Sequence, residues 1–231
     1  MKFTILKYAN RVLSLISNRI WKNFKRLILR DEFELAIKSY VHFHKDNQIL
    51  YEHELNPDSI VVDLGGYLGE FTEEIYRRYS CKIYLFEPVK EYYDICIKKF
   101  AHLNKIKCLN YAVGKSGSVY VNNEGNSTSV YKSNSNSNRE LINSKSILET
   151  LQELGIRNID LIKLNVEGSE FVIMQDLLDL GDEIIVSKFL IQFHNFIDGS
   201  SEMRNEIRKK LELTYSEVFN YPFVWEYWIR K

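Results

Sequence analysis

The segment Val61-Val62-Asp63-Leu64-Gly65-Gly66-Tyr67-Leu68-Gly69-Glu70-Phe71 constrains this chain more than any other. Ile60-Val61-Val62 is a continuous apolar run of the kind a buried strand needs. Residues 70–79 read as a helix with Phe71, Ile75 and Tyr79 on one face. Glu70, Glu73 and Glu74 lie in its first turns, and Arg77 and Arg78 in its last, as the helix dipole prefers. A glycine-rich turn that leaves a strand and opens a helix is the setting of a nucleotide-binding loop. Glycine tolerates positive φ and close backbone approach, and a helix N-terminus offers N–H groups to a ligand.

The same alternation continues downstream. Strands are expected at Lys82–Glu87, Ile106–Val113, Val119–Asn122, Ile159–Leu164 and Ile184–Phe193. Helices are expected over 90–103, 146–154, 169–180 and 202–213. Two last strands, near 214–220 and 223–230, are joined by a turn at Tyr221-Pro222 and should pair antiparallel. The fold class is therefore α/β, a Rossmann-like, mostly parallel sheet with helices on both faces. Asn56-Pro57-Asp58-Ser59 is a turn signal. It suggests a division into a helical extension, residues 1–57, and a main domain, residues 58–231. Residues 123–138 are rich in Asn and Ser and read either as a lid over a polyhydroxylated acceptor or as a plain exposed loop.

The formal net charge of zero hides an asymmetry. Residues 1–30 carry eight Lys or Arg and no acid, so the rest holds 23 basic against 31 acidic residues. An acidic body disfavours nucleic acid as a partner. Leu13, Ile16, Ile20, Phe24 and Leu27 fall on one face of a helix over 10–29, opposite Arg11, Lys22 and Lys25. Two readings stand: the helix packs on its own domain or on a second copy in a homo-oligomer, or it makes peripheral contact with a membrane. Arg11 and Arg19 break the apolar run well short of the ~20 residues a span needs. Cys81, Cys96 and Cys108 are too scattered for a disulfide framework or a zinc site. Free thiols suit a cytoplasmic location, with the inner face of a membrane as an extension of that reading.

Chemistry concentrates at two places. Glu87 ends the strand after the glycine loop, 22 residues beyond Gly65, where a carboxylate can accept both hydroxyls of a ribose. Loop and acid together indicate an adenosine-type ligand. A dinucleotide loop needs glycine where Tyr67 stands, which disfavours a nucleotide-dependent oxidoreductase. The acidic Asp63 suits a ligand carrying an ammonium group better than one carrying a pyrophosphate. The second place is Ile159-Asp160-Leu161-Ile162-Lys163-Leu164-Asn165-Val166-Glu167-Gly168-Ser169-Glu170. A buried strand there delivers Asn165 and Glu167 to its C-terminal end, the side on which α/β sheets bind ligands.

These segments, with Leu85–Pro88 (LFEP) and Leu109–Val119 (LNYAVGKSGSV), resemble the FkbM family of S-adenosylmethionine (SAM) dependent methyltransferases. The likeness spans about Ile60 to His194. It implies a class I methyltransferase fold with a seven-stranded sheet and an antiparallel last strand, and O-methylation, often of sugar hydroxyls. It further implies that Asp63, Gly65 and Gly69, with Gly66 and Tyr67 in the same loop, hold the methionine part of SAM. Glu87 would bind the ribose, with Asn110 and Ala112 beside the adenine. Three positions depart from the family: Tyr67 and Asn165 stand where members usually carry Asn and Asp, and Gln192 where many carry Glu. The last two remove negative charge, so a divalent metal is possible but not favoured.

A sugar hydroxyl is a weak nucleophile, so a general base helps methyl transfer. His194 and Glu167 are the candidates, with Asn165 beside them. The leading expectation is a SAM-dependent O-methyltransferase acting on a sugar or glycan hydroxyl. The alternative is a SAM-binding protein without turnover, motivated by Asn165 and Gln192. Nucleic-acid base methylation is disfavoured, because Pro57, Pro88 and Pro222 form neither a Pro-Pro-aromatic motif nor a Pro-Cys nucleophile.

Overall fold

A computed structural model describes residues 17, 18, 20–25, 31–122 and 139–231. Most of the helix read over 10–29, and the Asn/Ser-rich stretch 123–138, lie outside the described residues. The chain divides into two compact units, Met1–Lys45 and Asp46–Lys231. The first holds helix α1 (Glu32–Phe43), whose Asp31 side chain accepts the Glu34 N–H at 2.9 Å as an N-cap. Residues 46–57, assigned to the extension by the turn at Asn56–Ser59, fall in the second unit. There the His53 N–H donates to Tyr79 Oη at 2.8 Å and the His53 ring lies 3.0 Å from Tyr227 Oη.

The second unit runs β1 (Ile60–Leu64), α2 (Glu70–Tyr79), β2 (Lys82–Phe86), α3 (Lys90–Phe100), β3 (Ile106–Leu109) and β4 (Ala112–Val113). It continues with β5 (Gly117–Asn122), β6 (Arg139–Lys145), α4 (Ile147–Leu154), β7 (Asn158–Ile159) and β8 (Leu161–Leu164). It ends with α5 (Glu170–Asp179), β9 (Ile185–Val186), β10 (Lys188–Ile191), α6 (Ser200–Thr214), β11 (Tyr215–Tyr221) and β12 (Trp225–Arg230).

Seven strands form one sheet in the order β11-β12-β10-β8-β1-β2-β3. β1, β2, β3, β8 and β10 pair in parallel, while β12 is antiparallel to both of its neighbours. Chain order reverses at β1: β2 and β3 build outward on one side, β8 and β10 on the other. Right-handed crossovers then carry α2 and α3 to one face and α5 to the other. The point of reversal opens a crevice at the C-terminal ends of β1 and β8, the usual ligand position in such sheets.

The central strands are apolar because both faces are covered. Val61, Val62, Leu64, Ile83, Leu85, Leu161, Ile162, Leu164, Leu190 and Ile191 are all buried. Two features escaped the sequence reading. The run Ile106–Val113 breaks at Asn110, and its second half joins a separate sheet, β4-β6-β5. β6 itself was not anticipated, since only Ile142 and Ser144 of Arg139–Lys145 carry its buried face.

Candidate active site

The loop between β1 and α2 is pinned by its neighbours. Gly65 and Gly66 both donate their N–H to the Phe86 carbonyl, at 3.0 and 2.9 Å. Gly65 has φ +85°, and a Cβ there would fall 1.9 Å from the Asn165 carbonyl oxygen. At Gly66 a Cβ would fall 2.4 Å from Leu85, and at Gly69 2.7 Å from the Phe100 ring. The protein's own packing therefore demands these glycines. They let the ends of β1, β2 and β8 close together beneath the crevice. Tyr67 also has positive φ, 47°, which is rare for a bulky residue. Its N–H donates to Glu87 at 2.7 Å and its ring meets Tyr92 edge-on with centroids 4.6 Å apart.

Asp63 is fully buried and stands opposite Lys163 in the β1–β8 register. Lys163 Nζ donates to Asp63 Oδ1 at 2.9 Å and to the Gly65 carbonyl at 2.7 Å. Thr72 of α2 donates its hydroxyl to Asp63 Oδ2 at 2.8 Å. The ammonium that Asp63 meets in this structure is that of Lys163. Asp63 is fully buried between Lys163 and Thr72, and through Lys163 it braces the Gly65 carbonyl of the loop.

Glu87 sits just past β2 with both oxygens turned to backbone. Oε2 accepts the Tyr67 N–H at 2.7 Å, and Oε1 the Val89 N–H at 2.9 Å. Burial pushes its carboxyl up to about 7, although these two hydrogen bonds pull the other way. A carboxylate oxygen has two lone pairs, so each can still accept a ligand hydroxyl. Asn110 Nδ2 donates to the Glu87 and Pro88 carbonyls at 2.9 and 3.0 Å, which fixes the strand end. Ala112 packs beside Val89, Tyr92 and Ile142 on the wall formed by the small sheet. Gly114 on the same wall comes close to Ser169, so this sheet borders the start of α5.

The second cluster lies at the ends of β8 and β10. Glu167 has φ 53° and Gly168 φ 116°, so the chain turns sharply after Asn165 and Val166. His194 follows β10, and its Nδ1 lies 2.8 Å from Glu170 Oε1. Its Nε2 lies 3.4 Å from Glu167 Oε1. Burial pulls the imidazole down, but the Glu167 and Glu170 carboxylates outweigh it and raise it to about 9. That shift favours the imidazolium at neutral pH, with each ring nitrogen facing a carboxylate. A protonated ring has no lone pair to take a proton, which makes Glu167 the stronger base candidate of the two.

A family profile for the FkbM methyltransferase domain matches residues 63–217. The chain belongs to the FkbM methyltransferase family. A search of curated proteins finds no match. Among solved structures, a candidate methyltransferase from Streptococcus mutans in complex with SAH aligns with TM-score 0.50 and 10% identity, over 81% of this chain and 97% of that one. The fibrillarin/Nop5p complex aligns with TM-score 0.50 and 13% identity, over 80% and 79%. Both likenesses bear on the fold, and the sheet order agrees with them.

In this FkbM chain the structure brings the sequence-derived residues together at one edge of the sheet. Asp63, Gly65, Gly66, Tyr67, Gly69, Glu87, Asn110 and Ala112 line or brace the β1–β2 side of the crevice. Asn165, Glu167 and His194 stand on the β8–β10 side. Gln192 binds back through its N–H to the Leu164 carbonyl at 2.9 Å. Among the described residues no three His, Cys, Asp or Glu side chains are grouped to hold a metal ion. His194 illustrates why: its two ring nitrogens face two different carboxylates, not a shared centre. Lys163, Thr72 and Glu170 were not singled out as site residues. Lys163 was visible as the one charge inside the apolar strand Leu161–Leu164. Glu170 stood in the second segment beside Glu167, with no role of its own assigned to it.

Proposed function

We propose that this FkbM methyltransferase moves the methyl group of SAM to a hydroxyl of a sugar in a glycan or glycolipid precursor. The observation that supports the reading is placement: Glu87 past β2 and the Glu167–His194 pair past β8 and β10 stand at the same C-terminal edge of the sheet. Bound SAM supplies a methyl group on a sulfonium, activated toward attack by a lone pair. Glu87 holds the ribose hydroxyls, and Asn110 and Ala112 flank the adenine. The loop Gly65–Gly69, braced by Asp63 and Lys163, cradles the methionine part. Asn165 and Glu167 meet the acceptor hydroxyl on the opposite wall. Alignment of acceptor oxygen and methyl carbon does most of the catalysis. The acceptor hydroxyl would lose its proton to the Glu167 carboxylate as its oxygen takes the methyl group, the sulfur keeping the pair of the broken C–S bond.

Methyl-labelled SAM offered with a panel of sugar phosphates, nucleotide sugars and glycolipids tests this. An O-methylated sugar is expected, and Glu167→Gln should slow its formation about 10²–10⁴-fold, the usual yield of a positioned base. Labelled product only on nitrogen or carboxylate acceptors would overturn it. A second reading, SAM binding without turnover, is favoured by Asn165 and Gln192 in place of acids. It predicts bound SAM and no product from any acceptor.

The reading extends to place. Ile20, Trp21 and Phe24 are exposed and lie within a stretch whose charge is wholly basic, residues 1–30. No helix among the described residues is long and apolar enough to cross a membrane. An exposed aromatic edge beside Lys and Arg supports peripheral contact with an anionic bilayer on its cytoplasmic face, at about 1 kcal/mol per basic residue near the surface. In flotation, the full chain should rise with vesicles containing phosphatidylserine and the variant lacking residues 1–30 should not. Equal flotation of the two would assign the basic stretch to packing or self-association instead.

A further inference from the structure

Glu170 is fully buried in the first turn of α5, yet its carboxylate reaches well beyond its own helix. Oε1 accepts the Val166 N–H at 2.9 Å, Oε2 accepts the Gly168 N–H at 2.9 Å, and His194 Nδ1 lies 2.8 Å from Oε1. An acid that only favoured a helix N-terminus would need none of these partners outside the helix. The two N–H bonds close the turn that carries Glu167 at φ 53°, a conformation that persists only where the surroundings over-determine it. The third contact links that turn to the segment after β10. His194 is thereby fixed with Nδ1 toward the fold and Nε2 toward Glu167, at 3.4 Å. The charged groups against its ring are Glu167, from the turn after β8, and Glu170, from α5. Phe196 of its own segment covers the ring with centroids 5.3 Å apart.

We infer that Glu170 is a positioning residue that locks His194 as a donor between two carboxylates, so that Glu167 is held in place to take the acceptor proton. The arrangement follows the rule by which a carboxylate on one imidazole nitrogen fixes what the other can do. The role given to Glu167 rests on the methyl-transfer reading, but the locking of His194 does not.

NMR of the full chain labelled with ¹⁵N-histidine tests the lock without any acceptor, with His194 assigned by its loss in His194→Gln. In the wild type both ring nitrogens of His194 should be protonated at pH 7.5 and should titrate near 9. Glu170→Gln should lower that midpoint while Nε2 keeps its contact with Glu167, a one-sided change that general loosening of the packing would not produce. Glu167→Gln should lower the titration midpoint while Nδ1 keeps its hydrogen-bonded proton. Should Glu170→Gln fail to fold, the wild-type and Glu167→Gln spectra decide the matter by themselves. Titration of wild-type His194 near 6.5, or a Glu170→Gln spectrum like that of the wild type, would overturn the inference. SAM binding and methyl transfer, measured on the same samples, report separately on the functional reading.

Discussion

Lys163→Met should destabilise the protein by about 3–5 kcal/mol, the cost of leaving one member of a buried ion pair alone. Asp63 has no exposure at all, and Lys163 is its cross-strand neighbour. Methionine fills the space of the lysine stem but leaves the Asp63 carboxylate with only the Thr72 hydroxyl. It also withdraws the donor that holds the Gly65 carbonyl at 2.7 Å. In a unit of this size each kcal/mol moves the melting temperature about 2–4 °C, so the shift should exceed 6 °C. Adding Asp63→Asn should recover a large part of the loss, because the stranded charge goes with it. Thermal unfolding of the single and double variants checks both statements. A double variant no more stable than Lys163→Met would mean that the pair is not what braces the loop.

Gly65→Ala should be as damaging for a different reason. The new methyl carbon would sit 1.9 Å from a backbone oxygen of Asn165, which no side-chain rotation can relieve. The residue also has φ +85°, where alanine is strained. Relief requires the ends of β1 and β8 to part, and those ends frame both halves of the crevice. Loss of soluble folded protein, or loss of SAM binding by more than about 100-fold (about 2.7 kcal/mol), is expected. Gly155→Ala is the control. It has φ +66° but nothing within 4 Å of its Cβ, so about 1 kcal/mol should go while SAM binding stays unchanged. Equal SAM affinity in both variants would contradict the close approach of loop and strand.

What the sequence could carry follows from how local each signal is. The parallel core was legible because strands buried on both faces read as continuous apolar runs, as in Ile60-Val61-Val62. Helix α2 was legible to the residue, since its charges and apolar face agree. β6 was not, because Leu141 is exposed and Ser144 buried, the reverse of the pattern that marks a strand face. The break at Asn110 depends on a side chain bonding to Glu87 and Pro88, more than twenty residues away in sequence. The glycine loop was recognised for closeness to a ligand, whereas the structure shows that closeness to Asn165, Leu85 and Phe100 already demands glycine. The charge on His194 was beyond reach, since it is set by Glu167 and Glu170 meeting it across two strand ends. The fold was thus readable from local pattern, while the contacts that join Glu167, Glu170 and His194 depend on tertiary structure.

On the proposed reading, Glu87 links the fold to its ligand most directly. Its carboxyl titrates near 7 in the ligand-free protein, so it is largely protonated at pH 6 and ionised at pH 8. Only the ionised form offers all its lone pairs to the ribose, so affinity should rise with pH and level off above 7. Calorimetric titration of SAM into the full chain at pH 6 and pH 8, beside Glu87→Ala, is the decisive measurement. Wild-type affinity should gain about tenfold over the interval beyond any change the variant shows. At pH 8 the variant should bind more weakly by about 1.5–3 kcal/mol, the worth of hydrogen bonds to a charged group. No binding at millimolar SAM, or equal affinity in wild type and Glu87→Ala at pH 8, would contradict the assignment of this crevice.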